Sequence, residues 1–164
     1  MGNKRRSFEA GHKRKYLVVI DDTEECERAV YWAAKRAGRT RSQIVMLRVI
    51  ETAERNQQWL GVADIMQAEA MEAANAVLDK FGARCQTVAG ITPDRVIREG
   101  DTTEQIAKLI DEDTDIGILV LAASTGKEGP GPLISNLAKT AGEFPIPVAV
   151  IPGHLSNEDI DAMS

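Results

Sequence analysis

Residues 124–132, STGKEGPGP, place three glycines, two hydroxyls and a lysine in one short polar loop. Gly126, Gly129 and Gly131 let backbone N–H groups turn into a common concavity with no Cβ in the way, an arrangement that can cradle phosphate. Helical spacing then appears in Leu133, Ile134, Leu137, Ala138 and Ala141. The loop therefore opens onto a helix N-terminus, with unpaired donors and a partial positive charge. Ser124, Thr125 and Ser135 add hydroxyl donors, and Lys127 or Lys139 a cation. The same composition also describes a flexible surface turn, because glycine and proline punctuate any loop. Neither G-x-x-x-x-G-K-S/T nor G-x-G-x-x-G is present, which excludes two common phosphate loops.

A loop of this kind needs a strand to present it. Residues 118–123, ILVLAA, form an apolar run of the right length for a strand buried on both faces. Gly142 is expected to stop the helix after the loop, and residues 147–151, PVAVI, to form a further strand. Residues 16–21, YLVVID, read as the first buried strand, ending at Asp21. Asp22 and Glu25 resemble a capping box for a helix with the stripe Cys26, Ala29, Val30, Ala33, Ala34 and Ala37, stopped by Gly38. Residues 43–50, QIVMLRVI, give the second strand, and 52–61 a polar loop holding Trp59. A longer helix over 62–81 turns Met66, Ala70, Ala74, Val77, Leu78 and Phe81 to the core. Pro93 interrupts the chain before a third strand near 95–98. Thr102 and Gln105 suit a capping box for a helix burying Ile106, Leu109 and Ile110.

Strands alternating with helices predict an α/β fold: an open five-stranded parallel sheet with helices on both faces. Right-handed crossovers leave few topologies, and the order 3-2-1-4-5 sets a switch point between the first and fourth strands. Ligands in such sheets sit at the strand C-termini beside that point. Asp21 and the glycine loop, about 100 residues apart, would then face one crevice. Asp21 reads as a ligand contact there, or as a cap for the next helix, a role Asp22 suits better.

At 164 residues the chain suits one domain with an adequate core. No run approaches the ~18 apolar residues of a membrane span. No apolar signal region opens the chain, so a cytoplasmic protein is expected. Cys26 and Cys85 lack metal-ligand spacing and read as small apolar fillers in a reduced protein. Residues 1–15 hold six cations and one carboxylate, a net +5, within a chain of net −5, so the remainder carries −10. Residues 1–14 therefore read as a basic, solvated arm, 15–152 as the folded domain, and 153–164 as a C-terminal tail, where Ser156 suits a helix cap. The acidic body argues against nucleic acid as a partner.

The chain resembles a universal stress protein of the UspA type. VVIDDTEECERAVYWAA is similar to that family's V-x-V-D-x-S-x-x-S-x-x-A-L-x-W-A opening. REGDTTEQIAKLIDEDTDIGILVLAAS is similar to its G-D-x-x-x-x-I…D-L-I-V-x-G-S stretch, and FPIPVAVIP to its C-P-V-L-V-V ending. The resemblance covers residues 15–152 and implies a Rossmann-like fold of the adenine nucleotide alpha hydrolase type. It also implies an ATP site, with Mg²⁺ as companion, in which Asp21 holds the ribose or adenine end and Val49 lies against the adenine. The family's phosphate loop, G-x-x-G-x9-G-S/T, is eroded here. Ala123 replaces the first glycine, Gly126 is the second, and a small gap brings Ser135 and Asn136 onto the Gly-Ser pair.

Two functional readings follow from that resemblance. The loop wraps a triphosphate by another path, through Ser124, Thr125, Gly126, Gly129, Gly131 and Ser135. Alternatively, the chain is a dimeric regulatory or protective protein that binds no nucleotide. A dedicated enzyme is not expected. No HIGH-type or S-G-G-x-D-S motif is present, His12 lies in the arm and His154 in the tail, and no nucleophile–base pair stands out. Asp21 and Asp22 suit Mg²⁺ by residue type, but adjacent strand-end side chains usually diverge. The expected partner is a second copy, paired along the edge strand at residues 147–151, as the family commonly dimerises. An edge covered by the acidic tail is the monomeric alternative.

Overall fold

The computed structural model describes residues 3–51 and 60–164. Its centre is β1 (Lys15–Val19), flanked by β2 (Gln43–Ile50) and β4 (Ile116–Ala123), with β3 (Asp94–Glu99) and β5 (Val148–Pro152) at the edges. All four pairings are parallel, giving the expected order 3-2-1-4-5. The connections are α1 (Cys26–Thr40), α2 (Leu60–Ala89), α3 (Thr102–Glu112) and α4 (Pro132–Ala138), and α5 (Asn157–Met163) follows β5. The loop reading that includes Trp59 falls outside the described residues.

Alternation along the strands sorts the core into two layers. Tyr16, Val18, Ile20, Ile44 and Met46 pack against α1, α2 and α5, whereas Leu17, Val19, Val45 and Leu47 pack with Ile106, Leu109, Ile110 and Leu137 of α3 and α4. The predicted α1 stripe is buried at all six positions. Its alanines let the helix lie close on the sheet.

Several local expectations are corrected. Gly38 does not stop α1: a Cβ there would lie 3.2 Å from that of Ala89, so it is a close-approach residue between α1 and α2. The stop is Arg41, in left-handed conformation at φ 53°, whose N–H bonds to the carbonyl of Ala37. α2 also runs beyond the expected 81, and the Arg95 guanidinium lies 2.8 Å from where a Cβ on Gly82 would stand. The helix continues through buried Cys85 to Gly90, at φ 66°. Met66, assigned to the core face, is exposed. β3 is Asp94–Glu99, slightly longer than expected. Asp101, not Thr102, caps α3 by accepting from the Glu104 amide at 3.0 Å. The expected helix through Ala141 ends at Ala138, and a 3-10 turn covers Ala141–Glu143.

The described part of the N-terminal arm is hydrogen-bonded to the domain, although most of its residues remain exposed. Arg5 Nη1 donates to the carbonyls of Asp113 and Ile116 at 3.1 and 3.2 Å. The Arg6 amide donates to Thr114 O at 2.9 Å, and His12 Nδ1 lies 2.7 Å from the Asp115 carboxylate. The acidic residues before β4 supply the countercharge that composition alone could not locate. The tail is ordered as α5, with a full capping box between Ser156 and Asp159. It lies on α1, anchored by fully buried Ile160, and its hydrogen bonds leave the outer edge of β5 unpaired among the described residues. None of the described helices is long and apolar enough to cross a membrane.

Candidate functional site

β1 ends at Val19, one position before Ile20 N–H makes its last ladder bond to Leu47 O. Two residues beyond the strand, Asp21 turns the chain toward α1. Its Oδ1 accepts from the Thr23 amide at 3.0 Å and from the Thr23 hydroxyl at 2.5 Å, an Asx turn that leaves Oδ2 without a partner among the described residues. The expected Asp22 cap is absent: α1 begins after Glu25 with no side-chain cap, and the Asp22 carboxylate pairs with Arg48 Nη2 at 2.9 Å. Asp21 therefore both braces the turn and presents a free carboxylate oxygen.

A cavity of about 860 Å³ opens at the C-terminal ends of β1, β2 and β4, a size that suits a small ligand. Its wall includes Asp21, Val49, Ser124, Gly129, Gly131, Ser135 and Asn136, so seven of the nine candidates converge although they come from separated parts of the chain. Thr125 and Gly126 do not line it. The reason is the fold of the loop. Ser124 N–H bonds to Pro130 O at 3.1 Å, Gly126 N–H to the Ser124 hydroxyl at 3.1 Å, and Gly129 N–H to Gly126 O at 3.3 Å. This closed loop turns its tip outward. Gly129 and Gly131 hold φ of 98° and 112°, a backbone region suited to glycine, and Gly131 precedes Pro132 at the first turn of α4.

Sequence reasoning missed several lining residues. Arg48 stands on the floor with only 15% of its side chain exposed; Nη1 donates to Ile20 O at 3.3 Å and Nε is buried with no partner. A charged residue within the apolar run QIVMLRVI was the available signal. Glu24, Glu25, Glu51, Asp101 and Glu128 also line the cavity. Of these, Glu51 accepts from the Thr102 hydroxyl at 2.8 Å and Asp101 is the α3 cap.

Cys26 lines the same cavity, but burial pushes its thiol up to about 12, and Sγ donates weakly to Val19 O at 3.8 Å. A thiol held neutral is a poor nucleophile. His12 is at the opposite end of the sheet, and His154 is exposed and outside the cavity wall. Among the described residues no three carboxylate, imidazole or thiol groups converge on a metal position.

Asp21 and Val49 bring a carboxylate and an apolar surface to the cavity wall. The Ser124, Gly126 and Gly129 amides are engaged within the loop, and carboxylates outnumber the lining cation.

An open parallel α/β domain with a ligand-sized crevice at its switch point is thus defined by fold and site together. The chain belongs to the universal stress protein family, whose model matches residues 13–152. Among solved structures it is similar to UspA from Lactobacillus plantarum, at 21% identity and TM-score 0.71 over 91% of this chain and 99% of that one. It is also similar to a universal stress protein family protein from Arabidopsis thaliana with AMP bound, at 19% identity and TM-score 0.57 over 85% and 91% of the two chains. A third is the universal stress protein from Archaeoglobus fulgidus in complex with dAMP, at 14% identity and TM-score 0.57 over 85% and 98%. Such identities speak to the fold. No curated protein sequence matches the chain.

Proposed function

We propose that this chain is a stress-response regulatory or protective module that holds an adenine nucleotide in the crevice between β1 and β4. The observation that carries the reading is the convergence of Asp21, Val49 and the glycine loop on one cavity of about 860 Å³. Asp21 Oδ2 would accept from a ribose hydroxyl or the adenine amino group, and Val49 would pack against the base. AMP- and dAMP-bound family structures with this fold support adenine as the base. The buried, neutral thiol of Cys26 and the distance of both histidines from the cavity favour binding over turnover.

Calorimetric titration with AMP and with MgATP tests this, using the natural chain, Asp21→Asn and Asp21→Ala. Asp21→Asn retains an acceptor for the Thr23 turn while removing the charge, so it separates ligand contact from bracing. A hydrogen bond to a charged group contributes about 1.5–3 kcal/mol, so Asp21→Asn should weaken binding by roughly ten- to a hundredfold. No heat with either ligand, from folded and ligand-free protein, would sink the nucleotide reading.

The unpaired outer edge of β5, with Val150 44% exposed, favours a homodimer built along that strand. This is also the interface on which a nucleotide-free function would rest. Light scattering of the natural chain and of Val150→Lys should report a dimer and a monomer respectively. Equal masses would remove β5 as the interface.

A further inference from the structure

We propose that the crevice selects adenine ligands carrying at most one phosphate, a nucleoside or nucleoside monophosphate, over the triphosphate. The inference rests on the adenine reading above and specifies its ligand. A triphosphate cradle needs free amides, cations and few carboxylates around it. This crevice is short of cations and rich in carboxylates, and part of the loop's amide set is already engaged.

The amides of Ser124, Gly126 and Gly129 are bonded within the loop, and Pro130 and Pro132 have no N–H. α4 is seven residues long and begins with Pro132, so its field and its donors are limited. Lys127 is exposed at the loop tip and Lys139 lies beyond the last turn of α4; neither reaches the cavity wall. Arg48 is the one cation among the described lining residues; its Nη1 and Nη2 are engaged by Ile20 O and Asp22, and only Nε lacks a partner.

Glu24 and Glu25, just before α1, and Glu128, in the loop itself, line the cavity. Asp21, Glu51 and Asp101 complete a wall of six carboxylates. Each phosphate added to a ligand therefore enters a field of its own sign, at separations where repulsion is only partly screened. Carrying Mg²⁺ on the ligand offsets part of that charge, but the described residues build no metal position to hold it.

The test is calorimetric titration of the full chain with adenosine, AMP, ATP and MgATP at about 0.05 M and 0.5 M salt, and of Glu128→Gln and Glu24→Gln. Adenosine and AMP should bind at least tenfold tighter than ATP and several-fold tighter than MgATP, with the gap narrowing at high salt. Glu128→Gln and Glu24→Gln, both at exposed positions, should tighten ATP about three- to tenfold and leave adenosine unchanged. MgATP binding as tightly as AMP overturns this inference while leaving the adenine site in place. ATP affinity unmoved in both variants overturns it as well. Failure of all four ligands, adenosine included, overturns the adenine reading itself.

Discussion

The backbone amide of Gly153 donates to the carbonyl of Ala123 at 2.9 Å, joining the residue after β5 to the last residue of β4, where the glycine loop begins. Gly153 sits so close that an added Cβ would lie 2.5 Å from that carbonyl oxygen, 3.1 Å from Glu25 Cβ and 3.4 Å from Thr125 Cγ2. The root of the C-terminal tail thus wedges between the start of α1 and the start of the loop. Backbone cannot yield as a flexible side chain can, so Gly153→Ala should cost about 1–3 kcal/mol by overpacking. It should also shift the loop and weaken ligand binding. Urea unfolding and calorimetry on the same variant check both; an unchanged midpoint would show that the wedge is not tight.

From that root α5 folds back onto α1, and its acidic side chains make it pH-sensitive. The Tyr31 hydroxyl donates to Asp161 at 2.7 Å and holds that carboxyl below its ordinary value of 3.8. The Ser156 amide, donating to Asp159 Oδ2 at 3.0 Å, does the same for Asp159. A carboxyl depressed in the folded state stabilises above its ordinary value, and that contribution is lost as pH falls through the lower folded value. α5 should therefore loosen below about pH 3.8 while the sheet persists. Amide NMR shifts of residues 157–163 should move toward random coil there, ahead of those in β1. Simultaneous loss of both would refute a separate transition.

Ile160 is the apolar anchor of the same helix, with no exposed surface. Truncating a buried isoleucine costs about 2–5 kcal/mol, which here should fall mainly on a seven-residue element. Ile160→Ala should make hydrogen exchange of α5 much faster and leave β1 and β4 protected. Uniformly faster exchange across the sheet would instead make α5 part of the cooperative core.

The fold was legible because each strand and most helix faces show their period directly. YLVVI and ILVLAA cannot be other than buried strands between helices, and the α1 alanine stripe was right at each position. What failed was punctuation. Gly38 looks like a stop, yet it is a place where Ala89 comes within 3.2 Å of an added Cβ. Composition shows that a glycine is needed and not which of these reasons applies. The site was half legible for a similar reason. Asp21 and the loop could be brought together by topology, whereas the placement of Glu24 and Glu128 on the cavity wall, and the engagement of Gly126 with Ser124, depend on local paths that no pattern encodes. The contacts of Arg5 were not legible because its partners, Asp113 and Ile116, lie 108 and 111 residues away.

That hydrogen-bonded arm has its own consequence. Arg5 bridges two backbone carbonyls just before β4, and hydrogen bonds from a charged donor contribute about 1.5–3 kcal/mol where they are partly buried. Arg5→Ala should lower stability by about 1–2 kcal/mol, whereas the same change in a solvated arm would lie within about 0.5 kcal/mol of zero. Urea denaturation separates the two, and a near-zero change would return the arm to solvent.

Cys26 and Cys85 are both free, buried and packed in the layer beneath α1 and α2. Burial pushes their thiols up to about 12 and about 11, from an ordinary 9.0. An unfolded thiol then ionises before a folded one, so the native state keeps its full stability below about pH 9 and loses it as pH climbs from there through about 11–12. At pH 8 neither thiol should react with a disulfide reagent until the chain opens, because the thiolate is the reactive species. Cys26 also lines the crevice, which makes the labelling rate a second reading of occupancy. A ligand that binds only the folded chain suppresses opening by the factor 1 + [L]/Kd. AMP at a hundred times its dissociation constant should slow labelling of both cysteines about a hundredfold. Protection of Cys26 alone would mean local opening at the crevice, and fast labelling of the native protein would mean that neither thiol is sealed in the core.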